Sequence, residues 1–261
     1  MNNMQSDYLD RFGGIARLYG NHALQRFHDS HVCVIGIGGV GSWAAEALAR
    51  SGIGQITLID MDDICVTNTN RQIHALQGNV GKQKIDVMAE RIRLINPHCQ
   101  IQCIDDFITE ENISEYINSA FDFVVDAIDS LQAKVALLNY CKRQKIKVIT
   151  TGGAGGQKDP TQIQIADLSK TTQDPLAAKV RADLRRKFGF PRDPKKKFSI
   201  PCVFSTEQLT YPDGEGGVCQ AKANSDGNMK MDCASGFGAT TVVTATFGFV
   251  AASFVLNKLS Q

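Results

Sequence analysis

Along the first 150 residues, short apolar runs alternate with longer segments whose apolar positions recur every three or four residues. Residues 31–37 (HVCVIGI) form a β-branched run ending in glycine, which predicts a buried strand. Residues 40–51 carry apolar side chains at helical spacing, with Gly52 placed to cap the helix. Gln55–Ile59 is the next strand, closed by Asp60. Further along, the pattern predicts a helix over 82–95, stopped by Asn96 and Pro97, and strands at Gln100–Ile104 and 121–127. A helix at Leu131–Gln144 and a strand at 146–150 complete the series. Strand–turn–helix–strand units imply parallel pairs with right-handed crossovers. Their succession predicts an α/β fold, a doubly wound, Rossmann-like and mostly parallel sheet.

The pattern changes after Thr151. A glycine-rich loop, GGAGGQKDPTQ, precedes a short strand at Ile163–Asp167. Residues 236–256 contain no charge, which is long enough for a membrane span. Thr240, Thr241, Thr244, Thr246, Gly238 and Gly248 within it suit a buried helix packed closely on a sheet or a partner subunit. Membrane contact is the alternative. The expected organisation is one domain over 1–261, with an N-terminal helical segment (1–30), a nucleotide-binding core (31–167) and a C-terminal elaboration (168–261).

Composition changes this picture in two places. The formal net charge of +1 hides a basic stretch from Lys179 to Lys197, where nine Lys and Arg face Asp183 and Asp193 for a local net of +7. Such a stretch suits phosphate contacts on a nucleic acid, or forms a solvated helix face and loop. Phe188, Phe190 and Phe198 beside it can stack a base or pack inside. The eight cysteines are scattered and form no Cys-x-x-Cys pair, so no structural zinc is expected. Free thiols and an N-terminus without a signal-peptide layout predict a cytoplasmic location.

The candidate chemistry starts at Gly36-Ile37-Gly38-Gly39-Val40-Gly41, between a strand and a helix. Small residues here let the backbone approach phosphates, and the helix N-terminus offers its free N–H groups to their charge. Asp60, at the end of the second strand, can accept hydrogen bonds from ribose hydroxyls. These features alone fit NAD as well as ATP. Arg71 and Lys84 favour ATP, because phosphoryl transfer needs cations that hydride transfer does not.

With Asn68-Thr69-Asn70-Arg71-Gln72 and Lys84 added, the sequence resembles the ubiquitin-activating-enzyme superfamily, including bacterial enzymes that adenylate sulfur-carrier proteins. The resemblance implies an ATP site of Gly36, Gly38, Gly39, Gly41, Asp60, Asp62, Asn68, Arg71, Lys84, Asp129 and Ser130. Arg71, Lys84 and Asp129 would be catalytic, with Asp129 as the magnesium ligand. Asp126 and Asp129 could instead only cap the following helix. RFGGIARLYG, TTGGAGGQKDPTQIQ, QDPLAAK, CVFSTE and MDCASGFGA further resemble the bacterial family that dehydrates threonylcarbamoyladenosine in tRNA. That family implies adenylation of the threonyl carboxylate, then ring closure by the internal carbamoyl group with loss of AMP. The Gly152–Gly156 loop (152–156) is expected to border the nucleoside.

The same resemblance implies a homodimer, with Arg11 or Arg17 as candidates to reach the partner's site, and suggests a sulfur-relay protein partner. The alternative function is activation of the C-terminus of a ubiquitin-like sulfur carrier, against which the absent zinc cysteines speak. Cys202, Cys219 and Cys233 stay outside the catalytic set, because the cyclisation needs no protein nucleophile.

Overall fold

A computed structural model describes residues 6–213, 216–220 and 237–261. Cys233 and the rest of MDCASG lie outside the described residues, as do 1–5. Seven strands form the main sheet: β1 (His31–Ile35), β2 (Gln55–Ile59), β3 (Gln100–Ile104), β4 (Phe123–Asp126), β5 (Val148–Thr151), β6 (Ile163–Asp167) and β7 (Pro201–Ser205). Their order is β3-β2-β1-β4-β5-β7-β6. All neighbours pair in parallel except β6, which runs antiparallel to β7 at the edge. Strand order reverses direction between β1 and β4, and in open α/β sheets ligands bind at that switch point, beyond the carboxyl ends of the strands.

The helices are α1 (Ser6–Tyr19), α2 (Asn21–Asp29), α3 (Gly41–Arg50), α4 (Lys84–Ile95), α5 (Ile113–Tyr116), α6 (Leu131–Gln144), α7 (Pro175–Phe188) and α8 (Thr241–Leu259). One core cluster lies where α3, α4 and α8 cover the sheet, around Val34, Ala45, Leu48, Met88, Phe247 and Val255. The other lies under α6 and α7, around Ile35, Val124, Leu138, Val180 and Phe198. Burial on both faces explains why β1 reads as a near-continuous apolar run and not as an alternation.

Several boundaries differ from the sequence expectation for local reasons. β1 stops at Ile35 because Gly36 turns to a φ of 83°. α4 begins at Lys84, two residues late, since Gln83 is extended and serves as its N-cap. α7 takes up the first half of the basic stretch as a helix, and the stretch then leaves it at Gly189. The apolar C-terminal segment is long and apolar enough to cross a membrane by length and composition. Here ten of the 19 residues of α8 are buried, against α3 and the sheet. Arg11 pairs with Asp7 at 3.0 Å along α1.

Candidate active site

The switch point is built by the turn from β1 into α3. Gly36 has a φ of 83°, and a Cβ there would come within 2.8 Å of the Ala127 carbonyl oxygen. Only glycine lets the chain pass this close to the end of β4, which brings the segment holding Asp129 beside the loop. Asp60 then fixes the loop from the other side. Its Oδ2 accepts the Ile37 amide at 2.6 Å and its Oδ1 the Asp62 amide at 2.8 Å. The carboxyl is only 8% exposed, so burial pushes its pKa up against the pull of Lys84 and the two amides. Each oxygen accepts one amide and keeps a lone pair for a hydroxyl such as those of ribose.

Lys84 closes this group. Its Nζ donates to Asp62 Oδ2 at 2.6 Å and lies 3.9 Å from Asp60 Oδ1, with the side chain almost wholly buried. Arg71 arrives on a separate segment, ordered by Asn68. The Asn68 Oδ1 accepts the Cys65 amide at 2.9 Å, and its carbonyl accepts the Arg71 and Gln72 amides at 3.0 and 2.9 Å. The Arg71 stem lies 3.3 Å from where a side chain on Gly39 would start. Its guanidinium is exposed, held by the Thr67 carbonyl at 2.8 Å and Asn70 Oδ1 at 3.1 Å. Gly38, Gly39, Asp60, Asn68, Arg71 and Lys84 thus converge on one loop.

Asp129 stands three residues beyond β4 and is exposed, with no hydrogen-bond or ion-pair partner among the described residues. Ser130 occupies the N-cap position of α6, yet makes no side-chain capping bond. The capping reading also fails for Asp126, whose carboxylate is fully buried and bonds Lys134 Nζ at 2.8 Å. For magnesium, Asp129 supplies a single open carboxylate. Among the described residues no three His, Cys, Asp or Glu gather to hold a metal ion. An oxygen-preferring cation would therefore take most of its ligands from nucleotide phosphates and water.

Sequence reasoning missed several supports. Asp174, the N-cap of α7, accepts the Gly153 amide at 3.0 Å and so ties the glycine-rich loop to that helix. Asp-Pro ahead of a helical pattern is the signal that marks it. His74 Nε2 lies 2.8 Å from the Ile37 carbonyl, and burial holds its pKa below the ordinary imidazole value. Phe237 packs on Gly155 and Gly156. Phe198 is 1% exposed and meets Phe190 edge to face, so it packs inside and is closed to a base. Cys202 is buried in β7, which pushes its thiol pKa well up and leaves it a core residue.

The profile of the ThiF family matches residues 13–261. The chain belongs to the ThiF family. A tRNA threonylcarbamoyladenosine dehydratase of Escherichia coli (strain K12) is 64% identical over 252 residues, covering 97% of this chain and 94% of the relative. A Haemophilus influenzae protein of the same name is 60% identical over 253 residues, covering 97% and 94%. Among solved structures, the E. coli dehydratase in complex with ATP superposes with a TM-score of 0.88 at 57% identity, covering 99% of this chain and 97% of that one. The doubly wound architecture and the resemblance to the bacterial family that dehydrates threonylcarbamoyladenosine in tRNA, both read from the motifs, agree with these findings.

Proposed function

We propose that this chain is an ATP-dependent, tRNA-modifying enzyme that dehydrates threonylcarbamoyladenosine through an acyl-adenylate. The observation that carries the reading is the convergence of Arg71, Lys84 and Asp60 on the Gly36–Gly41 turn (36–41), in a chain similar along 97% of its length to such a dehydratase. A dehydrogenase needs only the turn and the acid. Two cations beside them suit a site where charge on phosphate must be stabilised.

In this reading the loop amides and the N-terminus of α3 face the phosphates, and Asp60 takes the ribose hydroxyls. Arg71 and Lys84 hold the phosphoryl oxygens while a threonyl carboxylate attacks the α-phosphorus and pyrophosphate leaves. Magnesium, held by Asp129 and the nucleotide, would neutralise charge on the leaving group. The internal carbamoyl group then attacks the acyl carbon, AMP departs, and the ring closes with net loss of water. The glycine-rich loop tied by Asp174 borders the nucleoside. No step needs a protein thiol, so the reading gives a sulfur-relay partner no chemical task.

The same reading has a single domain, works in the cytoplasm, places α8 in the core, and takes the chain as a homodimer. A groove of about 860 Å³ with Ile15, Trp43, Ile73, Leu76 and Phe249 in its wall supports the last point, because Leu76 and Phe249 are exposed beside it. Light scattering on the purified chain tests it, and a monomer at micromolar concentration would refute it.

The test of function is direct. The protein is incubated with magnesium, ATP and tRNA bearing the modified nucleoside, and the digested nucleosides are weighed. ATP-dependent loss of one water, abolished by Arg71→Ala, is the expected result. An unchanged mass with ATP still bound would reject the substrate and make a sulfur-carrier C-terminus the next candidate.

A further inference from the structure

The strand order arranges the parts of the reaction proposed above. Asp60 follows β2, the glycine turn leaves β1 and Asp129 follows β4, so ribose, phosphates and magnesium lie over three neighbouring strands. The next strands in that direction are β5 and β7, about 5 and 10 Å beyond β4 at a strand spacing of about 4.8 Å. In threonylcarbamoyladenosine the threonyl carboxylate is joined to the purine by only a few bonds. A carboxylate at the α-phosphate therefore leaves its purine over the ends of β5 and β7, because the nucleotide covers the other side.

Two aromatic rings meet in the segments that leave those ends. β5 leads into the glycine-rich loop, and β7 leads into Thr210 and β8 (Tyr211–Pro212), which pairs antiparallel with β9 (Val218–Cys219). The rings of Tyr211 and Phe237 are 5.0 Å apart between centroids, with their planes at 46°. Gly156 brings them together. Its amide donates to the Gly238 carbonyl and its carbonyl accepts the Thr210 amide, both at 2.8 Å, so one residue fastens a neighbour of each ring. Its φ of 76° favours glycine. A Cβ on Gly155 or Gly156 would come within 2.9 or 2.7 Å of Phe237, so glycine at both lets that ring lie on the loop. The start of the loop is tied by Asp174 at the Gly153 amide and by Gln157, whose Nε2 donates to the Gly153 carbonyl at 2.9 Å.

This pair is not part of the core. Neither ring joins a hydrophobic cluster, and both are partly exposed. The phenylalanines of the basic stretch differ, since Phe198 is buried and Phe188 and Phe190 pack on the cluster under α6 and α7. Unpaired bases stack on aromatic faces that a protein holds in place and leaves open. We propose that Tyr211 and Phe237 form the stacking site for the purine of the nucleoside being modified. This rests on the function proposed above. Stacking uses the face of the purine, so it leaves the threonylcarbamoyl arm on the ring edge free to reach past the glycine-rich loop toward Asp129.

Tyr211→Leu and Phe237→Leu keep apolar bulk and remove a ring, whereas Tyr211→Phe and Phe237→Tyr keep the ring. Fluorescence anisotropy measures binding of two tRNA stem–loops, one with adenosine and one with an abasic residue at the position that is modified. The wild type and the ring-keeping variants should bind the adenosine form about tenfold tighter than the abasic form. Each leucine variant should lose most of that preference while binding the abasic form as the wild type does. With modified tRNA, the KM of the leucine variants should rise about tenfold. Their ATP affinity, read by calorimetry, should stay at the wild-type level. A wild type without purine preference, or leucine variants that retain it, would overturn the stacking site. Equal weakening of both stem–loops in the two leucine variants would also overturn it, because that marks a structural role alone. If the preference depends on the rings but the wild type removes no water from modified tRNA, the stacking site stands and the function reading fails.

Discussion

Lys134→Met isolates the support beneath the candidate catalytic segment. Lys134 is 1% exposed, and its Nζ donates to Asp126 Oδ2 at 2.8 Å and to Thr150 Oγ1 at 3.0 Å. The Thr150 hydroxyl donates to the same carboxylate oxygen at 2.6 Å, and Asp126 Oδ1 accepts the Ile128 amide at 3.1 Å. Methionine keeps the length and apolar stem of lysine but removes the charge. Asp126, with no exposed surface, would then hold a negative charge supported only by one hydroxyl and one amide. Removing one member of a buried ion pair costs about 3–5 kcal/mol. At a urea m-value of about 3 kcal/mol/M the midpoint should fall by about 1 to 1.7 M.

A second substitution makes the reasoning testable independently of packing. In Lys134→Met/Asp126→Asn the amide oxygen still accepts from Ile128, and the amide nitrogen can donate to Thr150. No buried charge remains. The double variant should therefore recover at least about half of the lost stability, since replacing both partners of a buried pair is often near neutral. Urea unfolding followed by circular dichroism at pH 7 measures both. A single variant within about 1 kcal/mol of wild type, or a double variant no better than the single, would refute the argument.

Three further outcomes follow from the site. Asp129→Asn should lower kcat for pyrophosphate release about 100-fold or more while ATP binds within a few-fold of wild type, because the group acts on developing charge; an unchanged kcat removes Asp129 from the mechanism. Gly36→Ala places a methyl within 2.8 Å of the Ala127 carbonyl at a φ of 83°, so calorimetry should find ATP binding abolished, and wild-type affinity would show that the turn does not form the site. Cys65 is exposed and its pKa is lowered, first by the Thr67 hydroxyl, so more of it is thiolate at pH 7 than of an ordinary cysteine. Iodoacetamide should label it ahead of Cys33, Cys99, Cys103, Cys141 and Cys202, whose pKa values burial raises, and ATP should slow the labelling; peptide mass spectrometry showing Cys103 labelled as fast would sink the idea.

The nucleotide-binding half was legible because its signals are local. A β-branched run, a glycine turn and a helical period lie within 20 residues of one another, and each specifies its own geometry. The rest depends on contacts made at a distance. β7 opens on Pro201 after a charged loop, and its pairing with β5 and β6 is what makes its apolar residues a strand. α7 buries Leu176, Ala177, Val180 and Leu184 at helical spacing, but its basic residues dominate the composition and mask that face. Lys134 reads as one more solvated lysine on a helix. Only the fold brings it to Asp126, eight residues earlier and at the end of a different element.

The apolar C-terminal segment shows how an ambiguous sequence feature can be settled by what it touches. Its composition fits a membrane span, but small and hydroxylated residues are placed where the site needs them. A Cβ on Gly248 would come within 2.5 Å of the Val40 carbonyl oxygen, so glycine lets α8 reach the glycine turn at the start of α3. Thr241 Oγ1 donates to the Asn70 carbonyl at 2.7 Å, and the Asn70 side chain returns a bond to the Ala239 carbonyl at 2.8 Å. Thr244 and Trp43 both donate to the Arg71 carbonyl, at 3.4 and 3.0 Å. A lipid-facing helix would have no use for these donors. Arg71 has an exposed guanidinium and a flexible side chain, so its backbone must be held if the charge is to stand at a fixed place beside Gly39. α8 and Trp43 hold it, which makes the most hydrophobic of the described helices a support for a candidate catalytic residue.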